Sequence, residues 1–151
     1  MASRNTLHVR VVTADRELYD GEADSVNAPG SEGRLGILPR HAALLSTLAV
    51  GELVIRHDGD EEPIFVSGGF LEVSNNTVTV LADTAENAEE IDQARAEEAR
   101  RLAQERLAHA QSNVERAELQ GALERAVTRL RLVETAGRRR RPRPQMPPTE
   151  Q

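Results

Sequence analysis

The period of the apolar pattern changes near residue 83, so the chain has to change the kind of element it builds there. Before that point apolar residues alternate with polar ones in short runs rich in valine, threonine and isoleucine. Leu7, Val9 and Val11 alternate with His8, Arg10 and Val12. Further strand candidates are Glu17 to Gly21, Asp24 to Ala28, Arg34 to Ile37, Leu44 to Leu48, Leu53 to His57, Ile64 to Ser67, Phe70 to Ser74 and Thr77 to Leu81. Between them stand Pro29-Gly30, Asp58-Gly59 and Asn75-Asn76, whose backbones accept the positive φ of tight turns. Short strands at this spacing predict an antiparallel β-sandwich or barrel.

After Asp83 the spacing turns helical and stays so to about Thr135, with no proline and one interior glycine, Gly121. Ala96, Ala99, Ala103, Leu107 and Ala110 recur every three or four residues, as do Leu119, Leu123, Ala126, Leu130 and Val133. Gln111, Ser112 and Asn113 form a polar break, and Ser112 or Asn113 suits a helix N-cap. The pattern predicts two antiparallel helices, which makes the fold class α+β, mainly β and then α. The domains expected are a β-sandwich over 1–86, a helical hairpin over 87–137, and a disordered tail over 138–151 rich in arginine and proline. The hairpin's apolar face is mostly alanine. A buried methyl contributes far less than the ~1.5–3 kcal/mol of a buried leucine side chain. Such a hairpin is expected to be marginally held and able to leave its dock without unfolding the sandwich.

Composition removes several function classes. The chain has no cysteine, so thiol nucleophiles and thiolate metal sites are excluded. His8, His41, His57 and His109 are scattered, with no pair at metal-ligand spacing, so no metal site is expected. The net charge of −6 argues against general nucleic-acid binding. No apolar run has the length of a signal peptide or bilayer span, which predicts a soluble or peripheral protein. There is no phosphate loop ending in lysine and no evident triad, so no catalytic residue is assigned. Ser67-Gly68-Gly69 joins two strand candidates and reads as a bulge or close backbone crossing.

Several ordered motifs carry a resemblance. Gly30-Ser31-Glu32-Gly33-Arg34-Leu35-Gly36-Ile37-Leu38-Pro39-Arg40-His41 is followed by Ser67-Gly68-Gly69-Phe70-Leu71-Glu72-Val73 and by Thr77-Val78-Thr79-Val80-Leu81-Ala82-Asp83. In the helices stand Ile91-Asp92-Gln93-Ala94-Arg95-Ala96, Arg116-Ala117-Glu118-Leu119 and Leu123-Glu124-Arg125-Ala126-Val127-Thr128-Arg129-Leu130. Together they resemble the epsilon subunit family of F-type, proton-translocating ATP synthases over residues 5 to about 135.

The resemblance implies a non-catalytic rotor subunit of the central stalk, peripheral at the cytoplasmic face of the bacterial membrane. Its sandwich would bind the gamma subunit and sit on the ring of c subunits. The loop that would face that ring holds Glu32, Arg34, Leu38 and His41, and Arg34 stands where many family members carry an acid. Leu35 and Ile37 read as sandwich filling. The hairpin would regulate: extended, it would reach the alpha and beta subunits of the catalytic head and inhibit ATP hydrolysis, with Arg125, Arg129 and Arg131 as contacts. The alternative is a solvated face whose arginines pair with Glu118, Glu124 or Glu134. Folded, the hairpin would hold ATP as a regulatory ligand through Glu86, Asp92, Arg95, Arg125 and Arg129, no cofactor being required. Against that stands a plainer reading, in which Asp92 caps the first helix and Arg95 forms a local ion pair. Two other functions stand as alternatives. One is a free-standing ATP-binding sensor. The other is a carbohydrate- or peptide-binding β module, for which Tyr19, Phe65 and Phe70 supply too few aromatics.

Overall fold

Alternation up to residue 83 becomes the first seven of eight strands in the computed structural model, which describes residues 5–139. They are β1 (Leu7–Val12), β2 (Glu17–Ala23), β3 (Ser25–Gly30), β4 (Gly33–Ile37), β5 (Leu44–His57), β6 (Asp60–Ser74), β7 (Thr77–Ala82) and β8 (Ala85–Asn87). Their order in the sheet is β2-β1-β7-β6-β5-β3-β4, with β8 added on β6. Every pairing is antiparallel except β1 with β7. That parallel pair joins the first strand to the seventh, a contact between segments far apart in the chain.

Two pairs of strand candidates merge into long strands. β5 runs through Ala49 and Val50, and β6 through Gly68 and Gly69. At that point the register passes from Leu48↔Gly69 to Val50↔Ser67, and the buried set changes parity, from Leu71 and Val73 to Ile64 and Val66 on β6. Beyond the kink each strand belongs to the other layer: β6 pairs β7 after Gly69 and β8 before Ser67. The folded sheet encloses one core, with Leu7, Val9, Val26, Ile37, Leu53, Ile55, Leu71 and Val80 nearly inaccessible.

Gly69 makes the kink possible. Its φ is +119°, and a β-carbon there would lie 2.1 Å from the Leu81 carbonyl oxygen. Gly69→Ala is therefore expected to lower unfolding stability by about 3 kcal/mol or more, since strained backbone and a rigid clash add. Urea denaturation checks this.

The turn chemistry is mostly realised. Asp58 and Gly59 take φ of 55° and 81°, and Asn75 and Asn76 take 49° and 57°, both in two-residue hairpins. Pro29-Gly30 differs. Both residues belong to β3, opposite Arg34 and Gly33, and the turn is Ser31-Glu32. Pro29 is tolerated there because β3's pairing with β5 lapses between Asn27 and Gly30, where the missing N–H is not needed.

A 3₁₀ turn at Ala88–Glu90 leads to α1 (Gln93–Leu107) and α2 (Asn113–Arg139). Asp92 caps α1 by accepting from the Arg95 backbone N–H at 3.1 Å. Ser112 caps α2 by accepting from the Glu115 N–H at 3.1 Å. α2 runs past Gly137 to Arg139, two residues beyond the expected end of the hairpin; residues 140–151, most of the expected tail, lie outside the described residues. Gln93, Glu97 and Arg100 face Leu130, Val133, Glu134 and Gly137 across a cleft of about 700 Å³, so the helices are antiparallel. α1 packs on the second half of α2, whereas Asn113–Glu118 are exposed on every side. The helix contact is thin: α1 buries only Ala96 and Ala103.

Candidate functional site

Two outer faces flank the sandwich, and they have opposite fates. On the layer that holds β8, Phe65 points outward yet is fully buried, because Ala88, Ile91 and Leu132 close over it with Val50, Val133 and Ala136 alongside. The hairpin is thus docked on this face, and Leu132 is its anchor. Burial of one leucine contributes ~1.5–3 kcal/mol, small beside a folded core.

The other outer face is open. Val12, Leu81, Phe70 and Thr47 are direct cross-strand neighbours on β1, β7, β6 and β5. Phe70 is 53% exposed and Leu81 54%, and Leu45, next along β5, is 71%. An apolar row in water at the centre of a sheet face marks a contact surface.

The four residues expected in one ring-facing loop are divided. Glu32 occupies the β3–β4 turn, where Ser31 N–H donates to the Thr47 carbonyl at 3.0 Å. Arg34 lies in β4 and turns onto its neighbours, donating to Asn27 Oδ1 at 2.7 Å and to the Glu52 carbonyl at 2.7 Å. Leu38, 64% exposed, and His41 sit in the next loop. There His41 N–H donates to the Leu38 carbonyl, and Arg40 N–H to Asn76 Oδ1 at 2.8 Å. Asn76 also donates to the Thr6 carbonyl, so this loop is tied to the β6–β7 turn and the start of β1. Ile37 is buried and Leu35 partly so against the core.

The five residues proposed for nucleotide are also divided. Arg129 Nε lies 3.3 Å from Glu86 Oε2, and its guanidinium stacks 4.4 Å from the Phe65 ring centroid. Arg125 is one turn earlier on the same flank of α2. Asp92 is engaged as the α1 cap, and the Arg95 side chain is exposed. Arg131 is exposed on α2.

Two contributors have no local sequence signal. Phe65 reads as one more strand residue until Arg129, 64 positions away, is placed above it. Arg16, in the β1–β2 turn, donates to Glu90 Oε2 at 2.8 Å and to the Ala85 carbonyl at 3.0 Å, tying down the linker to the hairpin. Arg16 holds the Glu90 carboxyl below the usual carboxylate range. Because the folded-state value is depressed, the pair's contribution is complete above the ordinary pKa of about 4.3 and is lost as pH falls through the lowered one. Both groups are well exposed, so the effect on stability is small. NMR titration of Glu90 is expected to give a midpoint below that ordinary value, moving up toward it in Arg16→Ala.

A β-sandwich with one face covered by its own helical hairpin and the other bare has the architecture of a docking module. The chain matches the family described as ATP synthase, Delta/Epsilon chain: the beta-sandwich domain over residues 6–88 and the long alpha-helix domain over residues 89–134. It is 47% identical over 127 residues to the ATP synthase epsilon chain of Nitratidesulfovibrio vulgaris, covering 84% of this chain and 95% of that one. It is 47% identical over 137 residues to that of Halorhodospira halophila, covering 89% and 97%. A chain in the Euglena gracilis mitochondrial ATP synthase structure, comprising OSCP, F1 and c-ring, shares the fold at a TM-score of 0.74 and 23% identity, over 88% of this chain and 82% of that one. The chain belongs to the ATP synthase epsilon chain family. Among the described residues, no helix is long and apolar enough to cross a membrane.

Proposed function

We propose that this chain is a non-catalytic rotor connector whose sandwich joins the gamma subunit to the c-subunit ring and whose hairpin restrains ATP hydrolysis. The observation that carries this reading is the asymmetry of the two sandwich faces. The Leu45, Phe70 and Leu81 face is bare and suits a permanent partner, for which gamma is the choice. The opposite face is occupied by a hairpin that, among the described residues, packs through Leu132, Val133 and Ala136 and stacks Arg129 on Phe65, a small seam that suits an arm that comes and goes. The end carrying Leu38 and His41 is braced by Asn76 and offers a firm exposed tip for the ring.

When the hairpin extends, Arg125 and Arg129 become available to acidic segments of the alpha and beta subunits of the head, with Arg131 a lesser contributor on another side of α2. ATP enters as a regulatory ligand. Glu86, Asp92, Arg95, Arg125 and Arg129 are the groups for it, and a phosphate reaching Arg129 competes with Glu86. The chain works at the cytoplasmic face of the bacterial membrane, peripheral to it. Adding the purified chain to a synthase complex depleted of it is expected to restore proton-driven ATP synthesis and lower uncoupled hydrolysis. No change in either would refute the reading.

A further inference from the structure

Arg129 carries two attachments at once, and both come from the sandwich. Its guanidinium stacks on Phe65 and its Nε meets Glu86. Phe65 and Glu86 are direct cross-strand partners on β6 and β8. The sheet therefore presents ring and carboxylate side by side on a frame that does not depend on the hairpin. Arg129 is three-quarters covered, its side chain 25% exposed. A planar guanidinium satisfies both partners together, facing the ring and donating from its edge.

We infer that Arg129, Phe65 and Glu86 form a latch that closes the hairpin on the sandwich without any ligand, the anion being supplied by the chain itself. This rests on the reading that the hairpin moves as a unit. The geometry also sets where it pivots. Arg16 holds Glu90 and the Ala85 carbonyl, and β8 is paired to β6, so the chain is fixed to the sandwich as far as Glu90. α1 starts at Gln93 after its Asp92 cap. The hinge is Ile91–Asp92, with Ile91 in extended backbone. Opening breaks the latch and the Leu132 seam while leaving every strand pairing intact.

The chain contains no cysteine, so a single one placed at Ala88, beneath Leu132, reports opening through its thiol-labelling rate in the isolated full-length protein. Adding Glu86→Gln is expected to speed labelling about fivefold. Arg129→Gln speeds it at least as much, and Glu86→Gln adds nothing once Arg129 is gone. Raising sodium chloride, with Ala88→Cys as the only substitution, also speeds labelling, and Glu86→Gln removes most of that salt response. Labelling unaffected by Glu86→Gln, an equal acceleration with and without Arg129, or no salt response would each overturn the latch. No partner is present, so these outcomes stand apart from any failure of the rotor assignment.

Discussion

Replacing Phe70 and Leu81 together by glutamate is expected to abolish docking of the sandwich on gamma, weakening it by about 100-fold or more while leaving the chain folded. The two residues are opposite each other on β6 and β7, more than half exposed, and contribute little to the core. Two carboxylates placed there must be desolvated when a partner closes over them, and buried unpaired charge is among the costliest changes an interface can suffer. Calorimetric titration of the variant with purified gamma reads the loss directly. An Asp60→Asn control, at the exposed β5–β6 turn ten residues along β6 from Phe70, is expected to leave binding unchanged.

Removing residues 92–151 is expected to release ATP hydrolysis in the reconstituted complex while gamma still binds. The cut falls at the hinge, so Arg16, Glu90 and β8 keep the linker in place, and no core residue of the sandwich is deleted. The cost is the cover over Phe65, because Leu132, Val133 and Ala136 are lost. The truncated sandwich should therefore melt lower, by an amount comparable to the ~1.5–3 kcal/mol of one buried leucine, and still unfold cooperatively. Arg125→Ala with Arg129→Ala is expected to relieve inhibition in the same direction, through the lost contact rather than the lost arm. Hydrolysis rates and circular dichroism on matched samples separate the two. Hydrolysis unchanged by truncation would remove the hairpin from regulation.

Much of this fold was legible because its instructions are local. Asp58-Gly59 and Asn75-Asn76 specify hairpins through their own backbone preferences, and Ser112 specifies a helix start through its own hydroxyl. What depends on distant partners was not legible. Gly68-Gly69 reads as a bulge or close backbone crossing, and Gly69 does lie against the Leu81 carbonyl, but nothing nearby shows that one strand, β6, continues through it into the other layer. The parallel β1–β7 pair leaves no mark on either segment alone. Pro29 looked like a turn residue because proline usually is one, and its place in β3 follows from a gap in the pairing with β5. Among the site residues, Glu86 and Arg129 were named by motif and do meet, whereas Phe65 and Arg16, which hold the seam and the linker, belong to no motif.

As proposed, the chain works within a membrane-bound rotor complex rather than alone. The most direct measurement is to tag it in its own cells, solubilise the membranes in mild detergent, and purify through the tag. Recovery of one intact assembly containing gamma, the c ring and the alpha and beta subunits of the head is expected, with the Phe70→Glu, Leu81→Glu chain recovered free. Recovery of the unaltered chain as a free soluble protein with bound ATP and no synthase subunits would contradict it.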